Sequence, residues 1–472
     1  MTNIQVYGRR LVLVLLSLCG AVFMGLSLFG SATLPQSPTL LDLSQTDLML
    51  QAATAKPKSG FAQALKGILL PSDPQAAYSQ ALESYLKLQQ RADDLTRAQL
   101  DLRIGILHTL LGKTIEAEIV WLEAKERSPD LALTAETLRK LWQGEVIDQA
   151  ESTLEQNLDR WSRSYALEQL YGLKSDTLAQ AKLLAQRQED HYRALVNLAI
   201  ATAVPIGGSF LGSLVWLALI LQCLLQPDRR ILSWQPHSRP VSVITPVQIW
   251  QAMVLWFSSY VVISSLLPWF LAASSWLQRQ LPLDGAIYQA LFGVFLAYCL
   301  TMAPMIPIIK SHLPGAWQAK FNSWPWLAWG LGGYLAAVPL VLISSSLSER
   351  LWQGNGGSNP LLPILSEGDN LVAKLIFWLT LAVAAPLFEE YLFRGFFLAS
   401  LRQVMAVPWA ILGSAFAFAL VHLNLGDLIP LTTLGIVLGF VYHKSQNLLA
   451  PMLIHCLWNS GSLISILALA QI

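Results

Sequence analysis

Two adjacent carboxylates and an arginine interrupt an apolar run near the C-terminal end of the chain. Glu389 and Glu390 follow Phe388, and Arg394 stands four residues after Glu390. Residues four apart share a helix face, so Glu390 and Arg394 can form an ion pair that neutralises both charges. Glu389 projects about 100° around the helix from Glu390, where a carboxylate could act as a general base. The alternative is that the doublet marks a membrane–water boundary.

Two of the seven histidines lie inside long uncharged stretches of the sequence. His422 follows an apolar run. His455 precedes Asn459 by four residues, so His455 and Asn459 project from the same face of one helix. Ionisable groups in membrane segments are energetically costly and indicate function. One such histidine is commonly a packing residue. Two histidines, an asparagine and a glutamate pair on three helices instead indicate a catalytic site.

The composition predicts that these residues lie in a membrane. Of the 472 residues, 54% are hydrophobic and 13% are charged, against about 25% charged in an ordinary soluble domain. Residues 1–191 hold 41 of the 61 charges, and residues 192–472 hold 20. This division excludes a single soluble globule and a disordered chain. The near-zero net charge, without basic clusters, argues against nucleic acid as a partner.

Nine segments are apolar enough and long enough to cross a bilayer as helices. They are residues 11–31, 194–227, 240–278, 285–309, 321–348, 371–388, 408–425, 428–442 and 448–469. The first, within residues 1–32, is either a transmembrane anchor or a signal segment, since small residues near its end permit cleavage. The predicted fold class is all-α, a polytopic membrane protein with about eight or nine transmembrane helices.

The polar part of the chain predicts an extramembrane helical domain over residues 73–191, after a linker at residues 33–72 that is rich in Pro, Ser and Thr. Within it, residues 98–131 carry the small, aromatic and proline positions of a tetratricopeptide (TPR) helix pair. These are Ile104, Gly105, Gly112, Glu116, Ala117, Trp121, Ala124 and Pro129. The domain is therefore predicted to be TPR-like and could bind a protein partner. The alternative is a helical cap without a binding role.

The distribution of Lys and Arg between the predicted loops gives an orientation. Ten lie on one side of the nine spans and three on the other, and the richer side is expected to be cytoplasmic. The ten are Arg9, Arg10, Arg229, Arg230, Arg239, Lys310, Lys320, Arg394, Arg402 and Lys444. Residues 33–190 are then predicted to lie on the non-cytoplasmic side.

The ordered motifs resemble those of the CPBP intramembrane protease family, also called CAAX-protease-like or abortive-infection (Abi). They are Glu-Glu-x-x-x-Arg from Glu389, Phe-x-x-x-His ending at His422, and His-x-x-x-Asn from His455. The resemblance covers residues 371–465, within a predicted catalytic core at residues 371–470. Residues 192–350 are predicted to be additional transmembrane helices. The resemblance carries no information on the N-terminal domain.

The resemblance implies hydrolysis of a peptide bond within the membrane. Glu389 would activate a water together with His422. His455 and Asn459 would donate hydrogen bonds to the developing oxyanion. The expected partners are the lipid bilayer and a protein or peptide substrate, which is a prenylated CAAX tail for only part of the family.

In the same resemblance, Glu390 and Arg394 position the helix that bears the catalytic glutamate. A divalent metal such as zinc, held by two histidines and a glutamate, is chemically reasonable. The contiguous His-Glu-x-x-His motif is absent from the sequence, so a metalloprotease and a glutamate-dependent protease both remain open. Two other functions stay open. One is a catalytically silent scaffold or immunity-type factor, and the other is a proton-coupled transporter.

Overall fold

The structure is a computed structural model that describes residues 3–34, 39–57, 59–90, 92–226, 245–273, 324–357 and 371–470, with a few residues in 228–232 and 295–301. The described part is helical and contains no β-strand. It divides into two compact units. Unit 1 comprises Met1–Ser37 and Ala203–Ile464, and unit 2 comprises Pro38–Thr202 and Ser465–Ile472.

Within the described residues, one helix of unit 1 comes first and nine α-helices of unit 2 follow it. They are α1 (Asn3–Ser31), then α2 (Thr39–Thr54), α3 (Gly60–Leu69), α4 (Pro74–Gln89), α5 (Asp94–Leu110), α6 (Thr114–Arg127), α7 (Ala132–Trp142), α8 (Ala150–Asn157), α9 (Arg160–Lys174) and α10 (Thr177–Thr202). Two of these helices, α2 and α3, lie in the segment predicted to be a linker. That prediction rested on Pro and Ser residues, which here cap and separate helices, as Ser59 does for α3.

The remaining described residues contribute the apolar helices of unit 1, the last of which continues into unit 2. They are α11 (Ser209–Leu225), α12 (Pro246–Ala273), α13 (Pro325–Trp352), α14 (Leu371–Trp378), α15 (Ala385–Glu390), α16 (Ala399–Val404), α17 (Val407–Leu420), α18 (Leu425–Ser445) and α19 (Leu449–Ala470). The helices α14, α15 and α16 are joined end to end by π-helical turns at Leu379–Ala384 and Tyr391–Leu398. We call the continuous stretch from 371 to 404 the Glu-bearing helix.

Seven helical stretches in the described part are long and apolar enough to cross a membrane. They are Arg10–Ser31, Thr177–Leu225, Pro246–Ile263, Pro325–Trp352, Lys374–Val404, Leu425–Ser445 and Leu449–Leu469. The span predicted at residues 408–425 corresponds to the shorter apolar helix Val407–Leu420. The span predicted at residues 285–309 falls almost entirely outside the described residues. The chain is an all-α, multi-pass membrane protein, as its composition predicts.

In unit 2, the helix pair predicted from small and aromatic residues is formed by α5 and α6. A Cβ atom on Gly105 would lie 2.7 Å from Cδ1 of Trp121, so only glycine lets the indole lie against α5. The Trp121 Nε1–H donates to the Leu102 carbonyl at 3.2 Å. Gly112 turns the chain between the two helices with a φ of +75°. The TPR-like character of the whole unit stays a prediction.

The Gly105–Trp121 contact gives a first testable prediction. Gly105→Ala should lower the free energy of unfolding of unit 2 by about 1–3 kcal/mol, because the added methyl overpacks the indole. Gly172→Ala is the matched control, since no atom lies within 4 Å of the position where its Cβ would be. We expect the control to be neutral or to stabilise by about 0.4–1 kcal/mol. The stability of both variants is measured by unfolding the full chain in urea and using protease sensitivity to report the unfolding of unit 2. An equal loss of stability in the two variants would contradict the close packing at Gly105.

Candidate active site

The Glu-bearing helix departs from α-helical geometry on both sides of its glutamates. π-Helical turns lie at Leu379–Ala384 and at Tyr391–Leu398. Such turns are rare and occur frequently at functional sites, because each changes the direction of the side chains that follow. Tyr391, Leu392 and Phe393 are all buried there. The packing therefore fixes the direction in which Glu389, Glu390 and Arg394 project.

Glu390 lies at the centre of a buried polar cluster. Its Oε1 accepts a hydrogen bond from Arg394 Nη1 at 2.8 Å, as the spacing of four residues predicts. The same oxygen is 2.9 Å from Nδ1 of His455. Glu390 and Arg394 are 0% exposed, so both charges lie inside the protein. The alternative of a membrane–water boundary for the doublet stays a prediction. Its other carboxylate oxygen is buried and has no hydrogen-bond partner within the described residues.

Glu389 also faces His455. Its Oε2 lies 3.9 Å from Nε2 of His455, and its side chain is 13% exposed. The sequence offered Glu389 no partner within its own motif, because the partner stands on α19, 66 positions later in the chain. The two glutamates thus contact opposite nitrogens of one imidazole. Because the Nδ1–H is donated to Glu390, Nε2 is the ring nitrogen left to face Glu389.

Arg394 is held by two further contacts besides Glu390. Its Nη2 donates to the Gly435 carbonyl of α18 at 3.3 Å, and its guanidinium lies 4.5 Å from the centre of the Phe418 ring. Gly435 permits this arrangement, because a Cβ there would be 2.8 Å from the Cβ of Ala415. The close crossing of α17 and α18 thus brings a carbonyl and an aromatic face to the arginine.

Phe418 connects the second histidine to this cluster. Its ring centre lies 5.6 Å from that of His455 and 4.9 Å from that of His422, edge to face in both cases. His422 follows the end of α17 and is exposed. Its Nδ1 lies 2.7 Å from the Phe418 carbonyl, which can only accept, so Nδ1 carries the proton and Nε2 is left as an acceptor.

Asn459 binds the Glu-bearing helix rather than the other predicted site residues. Its Nδ2 donates to the Leu381 carbonyl in the first π-helical turn at 2.7 Å. The next residue, Ser460, accepts from the Trp378 indole at 3.0 Å. His455 and Asn459 therefore both point from α19 toward the Glu-bearing helix, as their spacing predicts. One N–H of Asn459 is used in that contact, and its amide nitrogen carries a second.

The end of α1 supports the turn that follows His422, a contact that sequence reasoning missed. Ser31 Oγ accepts from the Leu425 amide at 3.2 Å. The Leu34 carbonyl accepts from Gly356 and Gly357, at 2.8 and 2.9 Å, and the Gly356 carbonyl accepts from Gly426 at 2.9 Å. No motif signals these bonds, because backbone groups make most of them.

The Ser31 contact gives a second prediction. Ser31→Ala should loosen the turn after His422 by about 0.5–1.5 kcal/mol, the usual net contribution of one hydrogen bond. Hydrogen exchange of the peptide spanning residues 421–427 measures this directly and should become faster. Thr33→Ala is the control, since the Thr33 hydroxyl is exposed and bonds only the Gly30 carbonyl of its own turn. Unchanged exchange in Ser31→Ala would mean that α1 does not support the turn.

A metal such as zinc would need three protein ligands converging on one point. Among the described residues no group of three His, Cys, Asp or Glu side chains is placed to hold a metal ion. The Nδ1 of His455 is bonded to Glu390, which leaves one nitrogen of that ring for any other ligand. The described residues, as placed, therefore do not form a three-ligand metal site.

Comparison with known families identifies the same part of the chain. Residues 371–461 match the family model described as type II CAAX prenyl endopeptidase Rce1-like. All six predicted site residues, from Glu389 to Asn459, lie inside that match. The resemblance predicted from the motifs is confirmed for this segment.

Two curated relatives are similar over the C-terminal part of the chain. The "Putative membrane peptidase YdiL" of Bacillus subtilis (strain 168) is 23% identical over 134 residues, which is 28% of this chain and 54% of that protein. The "UPF0177 protein YaiF" of Lactococcus lactis subsp. lactis (strain IL1403) is 29% identical over 96 residues, 20% of this chain and 43% of that protein. The chain spans about half the length of the curated relatives it matches. No solved structure matches it at a comparable level of significance.

Proposed function

We propose that unit 1 is an intramembrane endopeptidase that hydrolyses a peptide bond of a protein or peptide substrate. The observation that carries the proposal is the pair formed by Glu389 and His455, with 3.9 Å between the carboxylate Oε2 and Nε2. On its other side the imidazole contacts a second carboxylate, that of Glu390, which in turn accepts a hydrogen bond from Arg394. These residues lie on apolar helices, in the segment that matches an endopeptidase family. Burying ionisable groups in a membrane segment is energetically unfavourable, so their presence there indicates a function.

In the proposed reaction Glu389 is the general base. It accepts a proton from water while the water oxygen attacks the carbonyl carbon, and the proton then passes to the leaving amine nitrogen. His422 assists in activating the water, because its Nε2 is left as an acceptor and its side chain is exposed. Glu390 and Arg394 touch no reacting atom and act as positioning residues.

His455 and Asn459 are proposed to stabilise the oxyanion. With His455 protonated, the imidazolium and the Arg394 guanidinium balance the carboxylates of Glu389 and Glu390. The balance matters because an uncompensated charge in low dielectric is strongly unfavourable. Only the protonated ring can donate from Nε2, since its Nδ1–H is already given to Glu390. Asn459 would donate its second N–H.

The substrate class follows from the location of the site. A base and an oxyanion site on membrane helices suit a peptide bond close to or within the bilayer, and a prenylated CAAX tail is one candidate. Unit 2 is proposed as an extramembrane, TPR-like domain that binds a protein partner. Its α6 presents Ile115, Ile119 and Leu122 as exposed apolar side chains at helical spacing.

Two membrane samples test the proposal, and the substrate need not be identified in advance. Membranes from cells that express either the wild-type chain or Glu389→Gln are compared for new protein N-termini by mass spectrometry. Peptides spanning the wild-type-specific sites are then cleaved with purified protein in proteoliposomes. Identical N-termini in both samples would reject the peptidase and favour the scaffold. Proton-coupled solute uptake by the same proteoliposomes, lost in Glu389→Gln, would favour the transporter.

The metal requirement remains a prediction of the resemblance and is tested on the same purified protein. Elemental analysis measures bound zinc, and the cleavage assay is repeated after chelation and after adding zinc back. Cleavage that survives chelation would support the glutamate-dependent reaction. Stoichiometric zinc, lost together with activity and restored with it, would require a metal-bound arrangement of the same residues.

The third prediction concerns orientation. We propose that residues 33–190 lie on the non-cytoplasmic side. Arg394 is buried, so it is no longer counted as a loop residue. The number of loop Lys and Arg residues on the two sides is then nine and three. Leu469 packs in the same cluster as Leu48 and Leu198, which requires an even number of membrane crossings between residues 198 and 469.

Single cysteines, introduced at the exposed positions Ser79 and Asp228, test the orientation by labelling in intact cells with an impermeant reagent. The reagent should modify only the cysteine at position 79, and labelling at both positions would refute the orientation.

A further inference from the structure

The short helix α3 of unit 2 has two apolar faces with different surroundings. On its inner face Ala62 is buried, as is Leu70, which directly follows the helix; each is 6% exposed. Its outer face carries Phe61 and Ile68, which are 79% and 74% exposed. These two residues are seven apart, with the half-buried Leu65 between them, so all three share one side of the helix. A large exposed apolar face on a helix indicates contact with a partner or a membrane.

The inner face of α3 locates the helix relative to the membrane spans. Leu69 and Leu70 pack in a cluster with Leu198 and Leu469. Leu198 lies in α10 just after the last charged residue before the second predicted span, and Leu469 ends the last candidate span. Both are therefore residues at which a helix passes between membrane and water. A helix that packs in the same cluster is expected to lie at the depth of the lipid headgroups.

We propose that α3 lies in the membrane–water interface and inserts Phe61, Leu65 and Ile68 between lipid headgroups and acyl chains. In-plane helices of this type combine an apolar face with lysines that reach the headgroups. The chain offers Lys56, which is exposed, just before α3. Lys66 stands on α3 itself, where its Nζ also donates to the Ala55 carbonyl at 2.7 Å.

The same face could in principle pack on another protein, and the two occupants differ in what surrounds it. A protein interface expects polar groups around an apolar centre. Here the polar side chains of α3 are Gln63 and Lys66, and the cluster in which α3 packs includes Leu198 and Leu469 at the ends of candidate spans. The observations favour a lipid surface. This inference is independent of the proposed peptidase activity.

Single labels on the full-length protein test the proposal. The four native cysteines, Cys19, Cys223, Cys299 and Cys456, are replaced by serine. A bimane fluorophore is then attached to a cysteine introduced at Phe61 or Ile68. The matched controls are cysteines at Gln63, on the polar side of α3, and at Ser79 of α4, both exposed. The protein is reconstituted in vesicles of phosphatidylcholine and phosphatidylglycerol.

Quenching from the two phases gives the result. At residues 61 and 68 we expect several-fold weaker quenching by aqueous iodide than at residue 63, and strong quenching by lipids that carry nitroxides near the headgroup. Equal iodide quenching at residues 61, 63 and 68, without lipid quenching, would overturn the proposal. So would protection from iodide without lipid quenching, which would indicate a second copy or another protein. Should Phe61→Cys fail to fold, Ala64→Cys reports the same face.

Discussion

Glu389→Gln is expected to lower the rate of peptide-bond cleavage by about 10²–10⁴-fold, the usual contribution of a general base. The glutamine keeps the volume and one carbonyl oxygen of the side chain but cannot accept a proton from water. Stability should change little, because the Glu389 side chain is 13% exposed and its Oε2 lies 3.9 Å from His455 Nε2, beyond hydrogen-bond distance. The measurements are cleavage rates in proteoliposomes and the melting temperature in detergent.

The control for this change is the same substitution at Glu349. That residue is exposed near the end of α13, so Glu349→Gln should retain full activity. Near-normal turnover in Glu389→Gln would reject the role of Glu389 as a base. Loss of activity together with a lower melting temperature would instead indicate that the carboxylate supports the fold.

His422→Ala separates the two groups proposed to act on the water. Because His422 is exposed and its Nδ1 bonds only a carbonyl of its own turn, its removal should leave the buried cluster intact. The expected result is a large loss of cleavage rate at an unchanged melting temperature. Unaltered cleavage would leave Glu389 as the single base and remove His422 from the mechanism.

The sequence predicted the local features of the site well, because they depend on helical spacing. The Glu390–Arg394 pair and the common direction of His455 and Asn459 follow from residues four apart on one helix. The apolar segments likewise predicted the membrane helices within the described residues. Both kinds of prediction use short stretches of chain, where periodicity alone determines which side chains are neighbours.

Contacts between distant segments could not be read in the same way. Glu389 meets His455 across 66 positions, and Ser31 reaches Leu425 across 394, so no local pattern encodes either contact. The π-helical turns beside the glutamates were also missed, since their sequence is that of an ordinary apolar helix. In unit 2, Pro and Ser suggested a linker where they in fact border α2 and α3. Composition shows where helices can begin, whereas tertiary packing decides whether they form.

The burial of Arg394 leads to the largest expected change in stability. Arg394→Met removes the guanidinium and leaves Glu390 as an uncompensated buried charge, which should destabilise the protein by about 3–5 kcal/mol. Methionine is the chosen replacement because its thioether can keep the contact with the Phe418 ring. Arg350→Met is the control, since Arg350 is exposed at the end of α13 and the change there should have little effect on the melting temperature.

The double variant Glu390→Gln/Arg394→Met tests whether charge compensation is the cause. It removes both charges, while the glutamine carbonyl can still accept from Nδ1 of His455. Much of the lost stability should therefore return, although the hydrogen bond to the Gly435 carbonyl stays broken. Activity should recover less than stability, because Glu390 also balances the charge of the imidazole that faces Glu389. An Arg394→Met protein as stable as the wild type, or a double variant with no rescue, would show that the pair is not buried as an ion pair. In that case charge compensation by Arg394 would not be what holds Glu390 beside His455, and the 2.9 Å contact with the imidazole would have to be sufficient.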